Sequence, residues 1–320
     1  MTAKRSLVLF LCLGAMLLFV ASCSKKEQSA LLRLNLPEGH VSYVLMTTNT
    51  HSVFEGNDPQ FDTRKTAVSK YRLECLDVDA EGVMTVRQTL LAVRVTEEKT
   101  DESFEFDSAN PPAEMSPKQA IFAANINLPI TMRITPEGRI VDVEGVEAIV
   151  ERMLDTGPTL KFIDPKIHRK SMLEETTPEK LIGMPMKYTT DAVGVGKSFD
   201  IKYDTARAGI VTSVNRAVSI SGKVHSLQDS VAQIIQEYQI EATIRISFPD
   251  EKPRIPFPDE KPGSDTVTGR GKSTIHLDTR TGLILQSTTP SESHAGLATE
   301  SAGPGRMTAH QTTQVEMTTE

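Results

Sequence analysis

Apolar and polar side chains alternate along much of this chain, in runs as long as the strands of a β-sheet. The alternation is clearest at 71–75, 130–135, 199–204, 240–248 and 307–317. Successive side chains of a β-strand point to opposite faces, so this period predicts strands that are buried on one face only. Such strands favour an antiparallel sheet with one covered face.

Three short segments with one spacing separate strand-like runs: 79–82, 135–138 and 279–282. Each ends in glycine, at the position where a type I turn closes through a left-handed residue into a bulge. Pro136 occupies the turn position that suits the fixed φ of proline. The three segments therefore predict three β-hairpins.

Helix signals are concentrated in the middle of the chain. Residues 116–119, Ser-Pro-Lys-Gln, combine an N-cap, proline at the first helical position and a capping-box glutamine, which predicts a helix to about Asn125. The apolar residues of 146–154 keep the spacing of an amphipathic helix. Thr177 begins another helix-start motif. The residues 231–238 fit helix or strand, and strand is preferred because alternation begins directly after them.

Two segments read as irregular structure. The hexapeptide Phe-Pro-Asp-Glu-Lys-Pro at 248–253 recurs at 257–262, and two prolines per copy exclude a central strand. The stretch 248–263 is predicted to lengthen a hairpin loop, and the alternative is an extended arm offered to a partner. The stretch 287–304 is also predicted to be a loop.

The N-terminus has the pattern of a lipoprotein signal. Lys4 and Arg5 precede an apolar run at 7–20, which is too short to span a bilayer comfortably. Ala21, Ser22 and Cys23 then complete a sequence that resembles a bacterial lipobox. This resemblance implies cleavage between Ser22 and Cys23, a diacylglycerol on the Cys23 thiol and an acyl chain such as palmitate on its new amine. The alternative is an ordinary secretory signal with a chance cysteine.

Lipidation at Cys23 would anchor the protein firmly, because several acyl chains hold a protein stably at a membrane. Ser24 favours the outer membrane over the inner one in the enteric sorting rule, so we predict a cell-envelope protein that faces the periplasm. The tether 24–30 spans at most about 25 Å when fully extended. The folded domain is therefore expected close to the membrane surface.

The resulting organisation is a signal peptide at 1–22, a lipidated tether at 23–30 and a single β-rich domain at 31–320. The predicted fold class is mainly β (α+β): a large curved antiparallel sheet, or an open half-barrel of hairpins. A few helices from about 144–186 are predicted to pack on one face of the sheet. The two β-rich halves, 31–142 and 190–320, are expected to share one core, since isolated hairpins bury little.

Composition disfavours several kinds of partner. The chain has 35 basic and 42 acidic side chains, and loss of Lys4 and Arg5 would leave a net charge of about −9. This balance argues against nucleic acid as a partner. Tryptophan is absent, which argues mildly against carbohydrate binding. Cys75 would be the one free thiol of the mature chain, so stability has to come from a hydrophobic core. We expect Cys75 to be buried and inert; the alternative is a redox or ligand-lining thiol.

Two Gly-x-Gly-Lys-Ser segments, 194–198 and 269–273, resemble part of a phosphate-binding loop. That loop also requires an earlier glycine, where this chain has Asp191 and Thr266. It must open a helix as well, whereas both segments run into strand-like sequence. Both are therefore predicted to be glycine turns that enter strands.

Metal and hydrolase motifs are absent from the sequence. None of the seven histidines forms a zinc pattern, and His276 with Asp278 on one strand face lacks a third ligand. There is no Gly-x-Ser-x-Gly elbow. Glu174 and Glu175 are interpreted as a solvated helix face, although dispersed carboxylates of a glycosidase remain an alternative. We predict no cofactor, no metal and no enzymatic activity.

The turn and hairpin motifs at 106–108, 134–140, 143–145, 195–199, 269–271 and 277–283 occur together in this chain. In them the chain resembles an uncharacterised family of bacterial lipoproteins, a domain of unknown function. The likeness covers most of the mature chain and implies a shared fold without an assigned activity. The predicted architecture is similar to that of periplasmic lipoprotein carriers, which hold acyl chains in an apolar concavity.

These observations predict a membrane-anchored, non-catalytic envelope lipoprotein whose curved sheet binds an apolar or amphipathic ligand, or a protein partner. One alternative is a structural or assembly protein of the envelope that uses 248–263 as a contact. Another alternative is an enzyme with dispersed catalytic residues. The sequence identifies no ligand-binding residue, and Cys23 is the one residue with an assigned chemical role.

Overall fold

The computed structural model describes residues 28–55, 62–99, 102–156, 188–208, 212–246, 264–299 and 303–319. The described residues are mainly β and form the predicted antiparallel sheet, which has 12 strands and is not closed. The strands are β1 (Ser29–Leu31), β2 (Val41–Glu55), β3 (Thr63–Val78), β4 (Met84–Lys99), β5 (Ser103–Asp107), β6 (Pro129–Ile134), β7 (Ile140–Glu144), β8 (Ala192–Gly194), β9 (Ser198–Ala208), β10 (Thr212–Gln228), β11 (Val231–Ile246), β12 (Ser264–Asp278), β13 (Ile284–Thr299) and β14 (Gly303–Thr319). The helices are α1 (Pro117–Ala124) and α2 (Val146–Thr156).

The order of strands in the large sheet is β7-β6-β4-β3-β2-β14-β13-β12-β11-β10-β9, and β5 pairs with β4 beside this path. Pairing of β2 with β14 joins the N-terminal and C-terminal halves of the chain in one sheet. Between β9 and β14 each strand pairs with its neighbour in sequence, which is the pattern of consecutive hairpins. The short strands β1 and β8 form a separate pair.

The strand registers of the large sheet place most of its apolar side chains on one face. Side chains of directly opposite residues lie on the same face of a sheet. One row across four strands therefore consists of Tyr203, Val218, Ile240 and Gly269. We call this side the apolar face and the opposite side, with charged and hydroxyl side chains, the polar face.

Residues 28–36, which we call the strap, cross one end of the apolar face. The amide of Leu34 donates to the carbonyl of Pro136 (2.8 Å), and that of Asn35 donates to the carbonyl of Thr281 (2.8 Å). The β6–β7 and β12–β13 turns that supply these carbonyls would lie about 24 Å apart on a flat sheet, at five strand spacings. Because adjacent strap residues contact both turns, the sheet curls with its apolar face inside.

Burial of the strap forms the largest hydrophobic core. Ala30, Leu32, Leu34 and Leu36 are all buried, with exposed fractions of 2–6%. Their partners come from both halves of the curled sheet: Val44, Leu73, Cys75, Met84, Val86, Val224, Ala232, Ile234, Ile275, Leu277, Leu283, Val315 and Met317. At this end the concavity is thus filled by the protein's own chain.

The three predicted hairpin turns are confirmed. Gly82, Gly138 and Gly282 have φ values of 80°, 76° and 74°, the left-handed conformation that glycine adopts without strain. The first turn is also fixed by Asp79, whose carboxylate accepts from the amide of Val83 at 2.8 Å. All three turns lie at the strap end of the sheet.

Both described helices begin as their sequences predict. Ser116 caps α1, and Gln119 completes a capping box with it. Phe122 of α1 packs beside Phe104 and Phe106, and Ile149 of α2 packs on β6, so both helices cover the apolar face. The helix start at Thr177 and the rest of the predicted helical segment lie outside the described residues.

Two expectations are corrected by the structure. The stretch 287–304 is largely strand rather than loop, because β13 and β14 pair through most of it. Pro290 lacks an amide hydrogen, and the β12–β13 pairing is interrupted opposite it, between Gly271 and Thr274. The predicted tether is also shorter, since β1 begins at Ser29 and Ala30 belongs to the core. By contrast, the strand preferred for 231–238 is confirmed as part of β11.

Tyr188 ties the strap end together and provides a first prediction. Its fully buried hydroxyl donates to the carbonyl of Gly282 at 2.7 Å, and burial raises the pKa of this phenol far above its usual range. Tyr188→Phe leaves that buried carbonyl without its partner, so we expect the free energy of unfolding to fall by about 1–3 kcal/mol. Urea unfolding measures this loss. A loss no larger than that of Tyr238→Phe, which removes a partly exposed hydroxyl, would contradict it.

Candidate functional site

The apolar face extends beyond the strap and helices that cover it. On β9 to β12, in the half of the sheet away from the strap, most aromatic and aliphatic side chains of the apolar face are partly buried, whereas Val218 and Ala242 are buried, with 7% and 6% exposed. We call this region the open half; it consists of Ile201, Tyr203, Val218, Ile220, Tyr238, Ile240 and Val267. Of these, Val218 alone is buried, with 7% exposed.

Glycines next to the open half let two aromatic rings lie flat on the sheet. A β-carbon on Gly222 would overlap the ring of Phe199, and one on Gly271 would overlap the ring of Tyr238. Rings that cover glycines of a neighbouring strand in this way also help to fix strand register. Together they give the open half a smooth apolar floor.

A cationic residue lies at the outer rim of the open half. Arg216 is exposed and, by register, shares the apolar face with Ala242. Burial raises the pKa of the Tyr203 phenol, and the charge of Arg216 opposes that rise. Arg216 is therefore close enough to the apolar floor to act on it electrostatically. An apolar floor with a cation at its rim matches a ligand with an acyl chain and an anionic head.

The opposite, polar face bears a groove of about 640 Å³ over β9 to β13. It is lined by Lys202, Asp204, Ala217, Val218, Ser219, Gln239, Ile240, Glu241, Thr268, Gly269, Arg270, Glu292 and His294. Several of its charges are paired: Arg270 contacts Glu292 at 3.0 Å, and His294 lies 3.5 Å from the same carboxylate. The groove suits polar groups, so it is not the apolar concavity that the sequence analysis expected.

One serine–histidine pair, which the sequence analysis missed, resembles a nucleophile with its base. Nε2 of His40 and Oγ of Ser42 are 2.7 Å apart, and the charge of Asp278 also acts on His40. Ser42, however, is fully buried, and the carboxylate of Asp278 accepts a hydrogen bond from Nε of Arg280. A substrate carbonyl cannot reach this hydroxyl, so the pair serves packing rather than catalysis.

The same pair predicts a pH dependence of stability. Burial lowers the pKa of His40 below 6.5, and Asp278 opposes part of this shift. The unfolded chain therefore binds the proton on this histidine more tightly than the folded chain does. The contribution of His40 to the free energy of unfolding is fully present above pH 6.5 and is lost as the pH falls below this value. In urea unfolding, His40→Gln should flatten the stability curve in this window. Parallel curves for the two proteins would contradict the assignment.

The structure settles the position of some residues that the sequence singled out. Cys75 is buried, with 1% exposed, and its thiol lies 3.6 Å from the carbonyl of Leu36. The segment 194–198 is a glycine turn that enters β9, as predicted, whereas the turn predicted for 269–273 is wrong, because these residues pair within β12. Neither segment opens a helix. Ser22 and Cys23, together with the repeat at 248–263, lie outside the described residues.

Metal and membrane-span searches cover the described residues only. Among them, no group of three or more His, Cys, Asp or Glu side chains is placed to hold a metal ion. No helix in this part of the chain is both long and apolar enough to cross a membrane.

Comparison with protein families gives one match, over residues 81–284, to a family of unknown function, DUF6263. This match covers more than half of the chain. The chain belongs to this family. The match spans the two later turn motifs at 135–138 and 279–282 and the strands of the open half. No curated protein matches the chain.

Several solved structures match the chain at low similarity. A structure described as "Lipid-protein interactions in lipovitellin" is 8% identical with a TM-score of 0.38; the match covers 88% of this chain and 26% of that one. Pseudomonas aeruginosa OpdQ is 8% identical, with a TM-score of 0.26 and coverage of 89% and 100%. OccK5 (OpdH) of the same organism is 5% identical, with a TM-score of 0.29 and coverage of 89% and 99%. Similarity at this level carries no argument about function.

Proposed function

We propose that this protein is a non-catalytic lipoprotein of the cell envelope that holds an anionic amphiphile on the open half of its apolar face. The observation that carries the proposal is the continuation of apolar side chains past the strap and helices. Tyr238 and Ile240, for example, remain partly exposed on a central strand. A ligand that covers such side chains removes apolar area from water, which stabilises the complex.

The chemistry of the floor supports an acyl chain as the apolar part of the ligand. Burial of each methylene contributes about 0.8 kcal/mol, and the glycine-backed rings of Phe199 and Tyr238 offer a flat surface along which a chain can lie. Arg216 at the rim supports an anionic head, because a charge-assisted hydrogen bond is stronger than a neutral one. The proposed ligand class is therefore a fatty acid or an anionic phospholipid.

The proposed location in the cell envelope depends on the N-terminal signal. Lipidation of Cys23 would hold the domain at the outer membrane, facing the periplasm, as the lipobox and Ser24 indicate. An acyl-chain ligand is a natural cargo for a protein held at a bilayer. The hydroxyl of Ser42, which lies 2.7 Å from Nε2 of His40, is buried and out of reach of a substrate, which is consistent with a binding role.

A dansyl-labelled fatty acid tests the proposal with residues 24–320, the mature chain without its lipidated cysteine. We expect saturable binding below the concentration at which the probe forms micelles, with blue-shifted emission. Arg216→Gln should weaken the affinity by about tenfold, since loss of a charged contact of ~1.4 kcal/mol has this effect. Lys202→Gln, on the polar face, is the matched control. Absence of saturable binding to the unmodified chain would refute the proposal.

A further inference from the structure

The strand β9 lies at one end of the large sheet, and no described strand pairs with its outer side. Its eleven residues pair with β10 in one uninterrupted register. The strand β7, at the other end, has five residues, and its register with β6 shifts between Arg133 and Ile134. A long, regular edge strand offers a row of backbone N–H and C=O groups to another strand, whereas a short or bulged one does not. Of the two ends, β9 is therefore the one suited to further pairing.

The backbone groups that β9 directs outward follow from one hydrogen bond at its start. The amide of Val224 in β10 donates to the carbonyl of Lys197 at 3.3 Å. In an antiparallel pair, residues that bond to the partner strand alternate with residues that do not. The odd-numbered residues of β9 therefore bond to β10. The N–H and C=O groups of the even-numbered residues, such as Lys202, point away from β10 and would meet a further strand.

The side chains of the same even-numbered residues alternate in charge. Asp200, Lys202 and Asp204 are all exposed on the polar face, and Asp200 also accepts a hydrogen bond from the hydroxyl of Ser221 at 2.6 Å. Lysine on an edge strand usually discourages pairing. Here, however, an aspartate flanks the lysine on each side, so the edge carries the charges that its own lysine needs.

This order of charges is complementary to itself when two copies of β9 run antiparallel. A two-fold axis through position 201 sets Asp200 of each copy opposite Lys202 of the other, and an axis through position 203 sets Lys202 opposite Asp204. An axis through position 202 would set lysine against lysine and aspartate against aspartate. Opposite charges directly across a strand pair stabilise it, and like charges destabilise it. The charges therefore favour the first two registers.

The apolar face distinguishes these two registers. An axis through Ile201 sets Phe199 of each copy opposite Tyr203 of the other, so that an aromatic pair lies on each side of the two isoleucines. An axis through Tyr203 forms no such pair with Phe199. Aromatic pairs directly across two strands add to the stability of a sheet. The axis through Ile201 is therefore the one that both faces of β9 favour.

We infer that two copies of this protein pair edge to edge through β9, about a two-fold axis at Ile201. The even-numbered residues from Ser198 to Asp204 of both copies then form about eight backbone hydrogen bonds across the axis. Directly opposite side chains share a face, so the apolar faces of the two copies lie side by side. A symmetric pairing of this kind closes on itself at two copies. It rests on the backbone and the charges of β9 and is independent of the proposed ligand.

Sedimentation equilibrium of residues 24–320 tests the pairing with two charge-swapped chains. One chain carries Asp200→Lys and Asp204→Lys, so that positions 200, 202 and 204 are all cationic. The other carries Lys202→Asp, so that all three are anionic. Lys272→Asp makes the same change of charge at an exposed residue of the central strand β12 and is the matched control.

We expect the unmodified chain and the Lys272→Asp variant to approach the mass of a dimer as the concentration rises. Each swapped chain alone should associate at least about tenfold more weakly, because like charges then meet across the axis. An equimolar mixture of the two should recover dimers, which also shows that both are folded. An unmodified chain that stays monomeric, swapped chains that associate as well as the unmodified one, or a mixture that stays monomeric would each overturn the pairing.

Cysteine substitution tests the position of the axis. Residues of a pair without hydrogen bonds have Cα atoms about 4.5 Å apart, within the range that a disulfide spans. Ile201→Cys should therefore give disulfide-linked dimers under mild oxidation, and Tyr203→Cys should not. Linked dimers of the second variant alone would overturn the axis at Ile201.

Discussion

Gly282→Ala is expected to destabilise the protein by about 3–5 kcal/mol, far more than an ordinary turn substitution. Gly282 has a φ of 74°, and a β-carbon there would overlap the carbonyl oxygen of Arg33 in the strap. An alanine therefore incurs the left-handed penalty of about 1–2 kcal/mol and also forces the strap away from the turn. Movement of the strap exposes leucines that the main core buries.

Gly82→Ala is the matched control for this experiment. Gly82 occupies the same position of an equivalent turn with a φ of 80°, but its β-carbon would meet only Cγ of Pro136 at an ordinary 3.5 Å. We expect it to lower the free energy of unfolding by about 1–2 kcal/mol, the conformational part alone. Urea unfolding of both variants gives the difference. Equal losses would mean that the strap does not pack on the β12–β13 turn.

Ile220→Asp is expected to weaken binding of the dansyl-labelled fatty acid by tenfold or more. Ile220 lies on the apolar face between Ile201 and Tyr238, so an aspartate there sets a carboxylate against the acyl chain. A charge in such a contact is unfavourable by several kcal/mol unless it finds a partner. An anionic head would also be repelled if the ligand shifted along the floor.

Ile235→Asp is the control that tests whether the loss of binding is specific to the apolar face. Ile235 is likewise a partly exposed isoleucine, on the adjacent strand β11, but it points to the polar face beside Lys223 and Thr274. We expect the affinity of this variant to stay within about twofold of the unmodified chain, a change of roughly 0.4 kcal/mol. Similar losses in both variants would show a general effect on folding, and circular dichroism and urea unfolding would report it.

Local patterns in the sequence predict the local structure well. The turn glycines, the Ser116–Gln119 capping box and the alternation of β11 each depend on residues close in the chain, and each has the predicted form. The loop predicted for 287–304 failed because β13 carries serine, threonine and proline where β-branched residues are usual. Its pairing with β12 and β14 overrides this weak propensity.

The long-range features of the fold could not be predicted from the sequence. Leu32, Leu34 and Leu36 alternate like a strand, yet only β1 pairs, and the leucines instead cross the curled sheet as a strap. The hydrogen bonds of Leu34 with Pro136 and of Asn35 with Thr281 join positions more than a hundred residues apart. Likewise, the open half depends on which part of the apolar face the strap and the two described helices leave uncovered, and no local pattern encodes that.

The most direct test of the account is to map where an acyl chain lies on the sheet. A fatty acid with a photoactivatable group in its chain is bound to the mature protein, activated, and located by mass spectrometry of peptides. We predict saturable labelling of open-half side chains such as Tyr203, Ile220 and Tyr238, with competition by unlabelled fatty acid. Labelling concentrated in the polar-face groove, around Lys202 and Arg270, or labelling that does not saturate, would contradict the account.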